Sequence, residues 1–195
     1  MLFRSLTGAL SGSQASGSDV YVAGNWQNNG TSTNFYPNNR AVFLNGSGTQ
    51  TVSGTNTSFP AFPFLIIDKT AGSVSLSRDI QVTESLTFSS ANTANIAANG
   101  YTVYVSKNTT TAIDRQGSGH VVGNLRRAVA TGTNTYVFPI GGAAAYSPVS
   151  MALNNVTVAG SLTLSTTAGD HPQISTSGID AAKSDRKSTR LNSSH

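Results

Sequence analysis

Short apolar stretches recur through the first half of the chain about every twenty residues. One central apolar residue from each, Val22, Val42, Phe64, Leu86 and Val103, falls 20, 22, 22 and 17 positions after the one before. An amphipathic helix needs apolar residues at i, i+3, i+4 and i+7. Here they come in small groups broken by Gly, Asn, Ser and Thr, and no helical stripe is sustained. A period of this size in a chain of short strands marks a solenoid: each winding contributes strands to two or three parallel sheets, and stacking the next winding buries its inward residues. The clearest alternation is in DKTAGSVSLSRDIQVTESLTFSS, where Val74, Leu76, Ile80, Val82, Leu86 and Phe88 share one side and polar residues lie between them. That is the pattern of strands with one dry face and one wet face. AGNWQNNG, NGSGTQ and AANG supply Gly and Asn for corners where φ is positive.

From about Gly117 the period is lost, and longer alternating segments such as YVFPIGGAAAYSPVSM take over. The sequence therefore predicts an all-β fold: a short parallel β-helix over residues 19–116, then a small antiparallel module, sandwich-like or capping, over 117–172. A cap is expected because the last winding of a solenoid otherwise presents unpaired strand edges. Residues 1–18 read as an incomplete or unstructured segment and 173–184 as a linker. A β-sandwich throughout is the competing architecture, since short alternating strands with frequent turns are its signature as well.

Composition narrows the function classes. Charged residues make up 10% of the chain, against about 25% in ordinary soluble domains, so hydroxyls and amides must carry most of its surface. The net charge is +4; removing Arg186, Lys187 and Arg190 leaves nine basic residues, removing Asp185 leaves seven acidic ones, and the balance falls to +2. That is too little clustered charge for a nucleic-acid partner. With no cysteine, neither disulfides nor thiolate metal sites are available. No apolar run reaches the length of a transmembrane helix, and MLFRSLTGALSGSQ is too short and broken for a convincing signal peptide.

The sequence offers few candidates for chemistry. Asp68, Asp79 and Glu84 lie close enough on successive stretches for an acidic cluster on one solenoid face to be drawn; the plainer reading is solvated edge residues that discourage strand-to-strand aggregation. His120 and His171 stand 51 residues apart and fit no metal or triad spacing, so no catalytic residue, metal or cofactor is expected. Arg126 and Arg127 are the densest basic spot before the tail, but adjacent strand residues point to opposite faces, so at most one serves a ligand surface. Trp26 and Tyr36 are the candidate ligand-binding aromatics, because rings beside amides and hydroxyls suit sugar faces; a buried core or end-plug role is the alternative for Trp26.

Four phrases occur in order: GNWQNNG, AVFLNGSGTQTVSG, FPFLIIDKTAGSVSLSRDIQVTESLTF and HVVGNLRRAVATGTNTYVFPIGGAAAYSPVSM. Over roughly residues 20–172 they resemble the repetitive secreted or cell-surface β-solenoid proteins of the Bacteroidetes. The resemblance implies a large extracellular parent, an adhesive or structural role, and glycans, surface proteins or neighbouring domains of the same chain as partners; it implies no catalytic residues. A carbohydrate-binding or polysaccharide-degrading β-helix is the alternative function. The last eleven residues, DRKSTRLNSSH, match one translated frame of a common short-read sequencing adapter. Residues 185–195 are accordingly expected to be an artefact of a truncated gene fragment, and their charge is given no role.

Overall fold

The computed structural model describes residues 10–11, 19–29, 35–36, 38–55 and 61–166. The expected linker at 173–184, the tail at 185–195 and most of the segment at 1–18 lie outside the described residues. The chain begins with strands β1 (Leu10–Ser11), β2 (Val20–Val22), β3 (Trp26–Gln27), β4 (Phe35–Tyr36), β5 (Ala41–Leu44) and β6 (Gln50–Ser53). There follow β7 (Ala61–Ile67), β8 (Val74–Leu76), β9 (Ile80–Phe88), β10 (Ile96–Val105) and β11 (Ile113–Arg115). β12 (Val121–Val129), β13 (Gly132–Phe138), β14 (Ile140–Gly141), β15 (Val149–Val156) and β16 (Gly160–Leu164) complete the order. No helix among the described residues is long and apolar enough to cross a membrane.

The strands wind into a parallel β-solenoid with three faces. On the first, Val20, Val42, Leu65, Leu86 and Ile113 stack rung on rung, in steps of 22, 23, 21 and 27 residues. On the second, Gln50, Val74, Ile96, Val121 and Ile140 align, with Trp26 next to Val52 and Leu76 on a neighbouring rung. On the third, Ala61, Gln81, Tyr104 and Arg126 align in parallel, and Thr163 of β16 joins them antiparallel. Long strands cross the edges between faces, so β9 serves the third face and then the first, and β10 the second and then the third. The second of these edges turns at Asn99 and Gly100, with φ of 53° and 87°, as AANG predicts. AGNWQNNG instead contains β3.

Inside, Val22, Val42, Leu86 and Val103 are fully buried in one apolar core together with Val74, Leu76, Ile80, Val82 and Phe88. Phe64 is the exception to the predicted interior set. It is half-buried, and Leu65 takes the inward rung between Val42 and Leu86. In AFPFLII every residue is apolar, so the alternation has no phase to read, and a slip of one residue exchanges inside for outside. Val103 is buried as expected but on the third face, paired with Ile80 and Leu125 rather than with Leu86.

Windings this close leave little room at the corners. A side chain at Gly72, whose φ is +73°, would place its Cβ 2.5 Å from the carbonyl of Gly48 in the winding before. A column of polar side chains fills the corner between the first and second faces. Gln50 donates from Nε2 to the carbonyls of Val22 (2.8 Å) and Gly24 (2.5 Å), and its Oε1 accepts from the Gly46 amide at 2.8 Å. Lys69, only 1% exposed, donates to the carbonyls of Gly46 and Gly48 and to Gln50 Oε1. Asn92 continues the column, accepting from the Lys69 amide at 3.2 Å. Each group has partners because a buried polar atom without one costs about 1–3 kcal/mol.

Burial lowers the Lys69 pKa from its ordinary 10.5. Between the folded value and 10.5 the unfolded chain holds more protons, so stability rises with pH across that window. The desolvation cost is present in full at neutral pH and is relieved as the ammonium deprotonates. Urea unfolding of the wild type and of Lys69→Met is expected to show a difference in stability that grows in favour of the wild type from neutral pH towards 10.5. A pH-independent difference would contradict a desolvated ammonium.

Parallel pairing runs past Gly117, through β12 and β14, before the chain reverses. β15 then pairs antiparallel with β13, and β16 antiparallel with β12. The small antiparallel module is thus a separate two-stranded sheet of β13 and β15, while β16 returns to the windings and covers a strand edge of β12 that would otherwise recruit other chains. Arg127 closes the joint from within. Its guanidinium, 1% exposed, donates to the carbonyls of Val137 at 2.5 Å and of Thr109 and Thr110 at 3.1 Å each. Tyr136, fully buried beside it, donates to the Asn108 carbonyl and accepts from the Ala130 amide, both at 2.8 Å.

Candidate functional site

The outward side of the third face is where unlike side chains converge. Alternation along β10 and β12 turns Tyr104 and Arg126 outward while Val103, Val105, Leu125 and Arg127 point in. Parallel register sets Arg126 beside Tyr104, and its guanidinium carbon lies 4.4 Å from the centre of the Tyr104 ring. A cation over a ring face at this distance is attracted by the ring quadrupole. The antiparallel β16 then brings Ser161 and Thr163 alongside, and Arg126 Nε donates to Ser161 Oγ at 2.8 Å.

Two hollows meet at this pair. The smaller, of about 160 Å³, is lined by Asp79, Gln81, Thr102 and Thr163 as well as Tyr104 and Arg126. The larger, about 360 Å³, adds Ser106, Asn108 and Ser161, and Arg126 is the sole charged residue in its lining. Neighbouring groups are held by bonds between windings: Asp79 Oδ1 accepts from the Thr102 amide at 2.7 Å, and Gln81 Nε2 donates to Ser106 Oγ at 3.0 Å. Fixed hydroxyls, amides and one guanidinium can hold an oxygen-rich ligand; they include no nucleophile paired with a base. Arg127, on the inner side of the same strand, has its pKa pushed down to about 10 by burial, which still leaves it charged at neutral pH.

Of the sequence-derived acidic and aromatic candidates, Asp79 alone lines one of these hollows among the described side chains. Trp26 is a core residue, fully buried and edge-on to Phe62 with ring centroids 5.3 Å apart, so it offers no ring face to a sugar. Tyr36 lies in β4, but its side chain is outside the described residues. Asp68, Asp79 and Glu84 follow one another around one winding, at three different edges between faces. Each is engaged with the next winding: Asp68 with Ser89 Oγ, Asp79 with the Thr102 amide, and Glu84 with Lys107 Nζ at 2.7 Å. No acidic site assembles from them, and among the described residues no three His, Asp or Glu side chains gather as a metal site would require.

Their role is to tie windings together, as Asp19 also does by accepting from the Ala41 amide at 3.1 Å. His120 is likewise structural, 5% exposed and bonded through Nε2 to the Gly142 carbonyl at 2.8 Å; His171 is outside the described residues. Of the two arginines, one faces out and one in, as alternation requires. Tyr104 is the member of the site that sequence reasoning passed over. Its only signal was an outward position in YTVYV, and the partner that gives it meaning is 22 residues away. No protein-family model, curated protein or solved structure matches this chain.

Proposed function

We propose that the chain is a structural or adhesive segment of an extracellular or cell-surface protein, comparable to the repetitive Bacteroidetes surface proteins that its sequence resembles. One observation carries this reading: a continuous apolar interior is wrapped in three sheets whose outward positions are held winding to winding by side-chain hydrogen bonds. The Thr51 amide donates to Asn25 Oδ1 of the winding before at 2.9 Å, and the Thr55 amide donates likewise to Asn29 Oδ1 at 3.2 Å. Such a body suits display of a fixed polar surface. Glycan binding draws on a separate observation, the two hollows that meet at Tyr104 and Arg126.

The test is accessibility on the producing cell. Antibodies raised against the purified chain should label intact cells, and deletion of the gene should reduce attachment to surfaces or to other cells. Labelling only after permeabilisation would overturn the surface assignment.

A further inference from the structure

We propose that the third face binds acidic oligosaccharides, with a uronate carboxylate seated on Arg126. The guanidinium is immobilised on both sides, by the Tyr104 ring beneath it and by Ser161 Oγ on its Nε. Among the described residues its two terminal amino groups make no hydrogen bond, so a planar fork is held open towards the groove. A carboxylate matches that fork with two parallel hydrogen bonds, which a neutral hydroxyl cannot reproduce. The larger hollow contains no competing carboxylate, and Ser106, Asn108 and Ser161 supply donors and acceptors for ring hydroxyls. Because the guanidinium covers Tyr104, the ring positions the arginine instead of stacking on the sugar.

Asp79 sets the polarity of the groove. It lines the smaller hollow, where it accepts hydroxyls and repels a second acid. The preferred chain therefore carries one uronate per pair of sugars, with the neutral unit over Asp79. This binding deepens the surface-display reading by naming its partner, and rests on the third face being presented to solvent.

The experiment is titration calorimetry of the full chain with three octasaccharides: one alternating glucuronate and a neutral amino sugar, one of galacturonate alone, and one of neutral glucose. The alternating chain should bind best and the neutral one at least tenfold more weakly, with affinity falling as salt is added. Arg126→Gln should weaken the alternating ligand by about tenfold to hundredfold. Asp79→Asn, which retains the acceptor for the Thr102 amide, should strengthen binding of the galacturonate chain. Circular dichroism confirms that each variant is folded. Equal affinity for neutral and acidic chains, or an Arg126→Gln variant that binds like the wild type, would overturn the assignment. A folded, surface-labelled chain that binds no uronate would overturn it too, while leaving the structural role in place.

Discussion

Arg127→Ala is expected to lower the stability of the chain by about 3 kcal/mol or more and to loosen its C-terminal cap first. The substitution removes the buried donors that reach the part-buried Val137, Thr109 and Thr110 carbonyls, and a hydrogen bond to a charged group contributes about 1.5–3 kcal/mol. It also empties space beside Tyr136 and Phe138, whose ring centres lie 5.2 and 5.8 Å from the guanidinium carbon. Arg127→Met separates the two contributions, since it keeps most of the packing and loses all the hydrogen bonds. Replacing a buried charge by an apolar residue of similar size is sometimes neutral or stabilising, so the comparison is informative. If the joint depends on those bonds, methionine should behave much like alanine in urea unfolding, and amide exchange should rise across β13 and β15 in both variants. A methionine variant as stable as the wild type would show that packing alone holds the cap.

Trp26→Ala is the second large effect, with an expected loss of about 3–5 kcal/mol for a fully buried aromatic. Trp26 fills the first described winding against Phe62, and the interior there has little else of its size. Because it is the only tryptophan, its fluorescence reports directly on that winding. The folded chain should emit at short wavelength and shift to the red on unfolding, and saccharides should leave the emission unchanged. An exposed, sugar-quenched signal from the folded chain would restore Trp26 as a ligand platform and remove it from the core.

How much of this was legible depended on where the alternation had contrast. Between Ser73 and Phe88 each apolar residue is flanked by polar ones, and the inward set read from sequence is the buried set. In AFPFLII that contrast vanishes, and Phe64 was placed inside where Leu65 belongs. β3 and β11 are so short that neighbouring windings, more than local propensity, define them as strands. The windings also vary in length because corner loops absorb extra residues, which is why Val103 fitted a rough period while lying on another face. The outward Arg126 and inward Arg127 follow from alternation alone. The site around Arg126 was hidden for a different reason: it needs Ser161, 35 residues later on a strand of opposite direction, and no local pattern announces that reversal.

The stacking of windings can be measured directly, because the chain has no cysteine of its own. Tyr21, Phe43, Ile66, Thr87 and Asp114 occupy successive outward rungs of the first face. Four strand spacings separate the ends of that ladder, or roughly 19 Å at about 4.8 Å each. Spin labels attached at Tyr21→Cys and Asp114→Cys should give one narrow distance distribution by pulsed electron resonance, centred near that value once the label tethers are allowed for. A broad distribution, or one centred beyond about 35 Å where no stacked ladder of this length can reach, would contradict the solenoid.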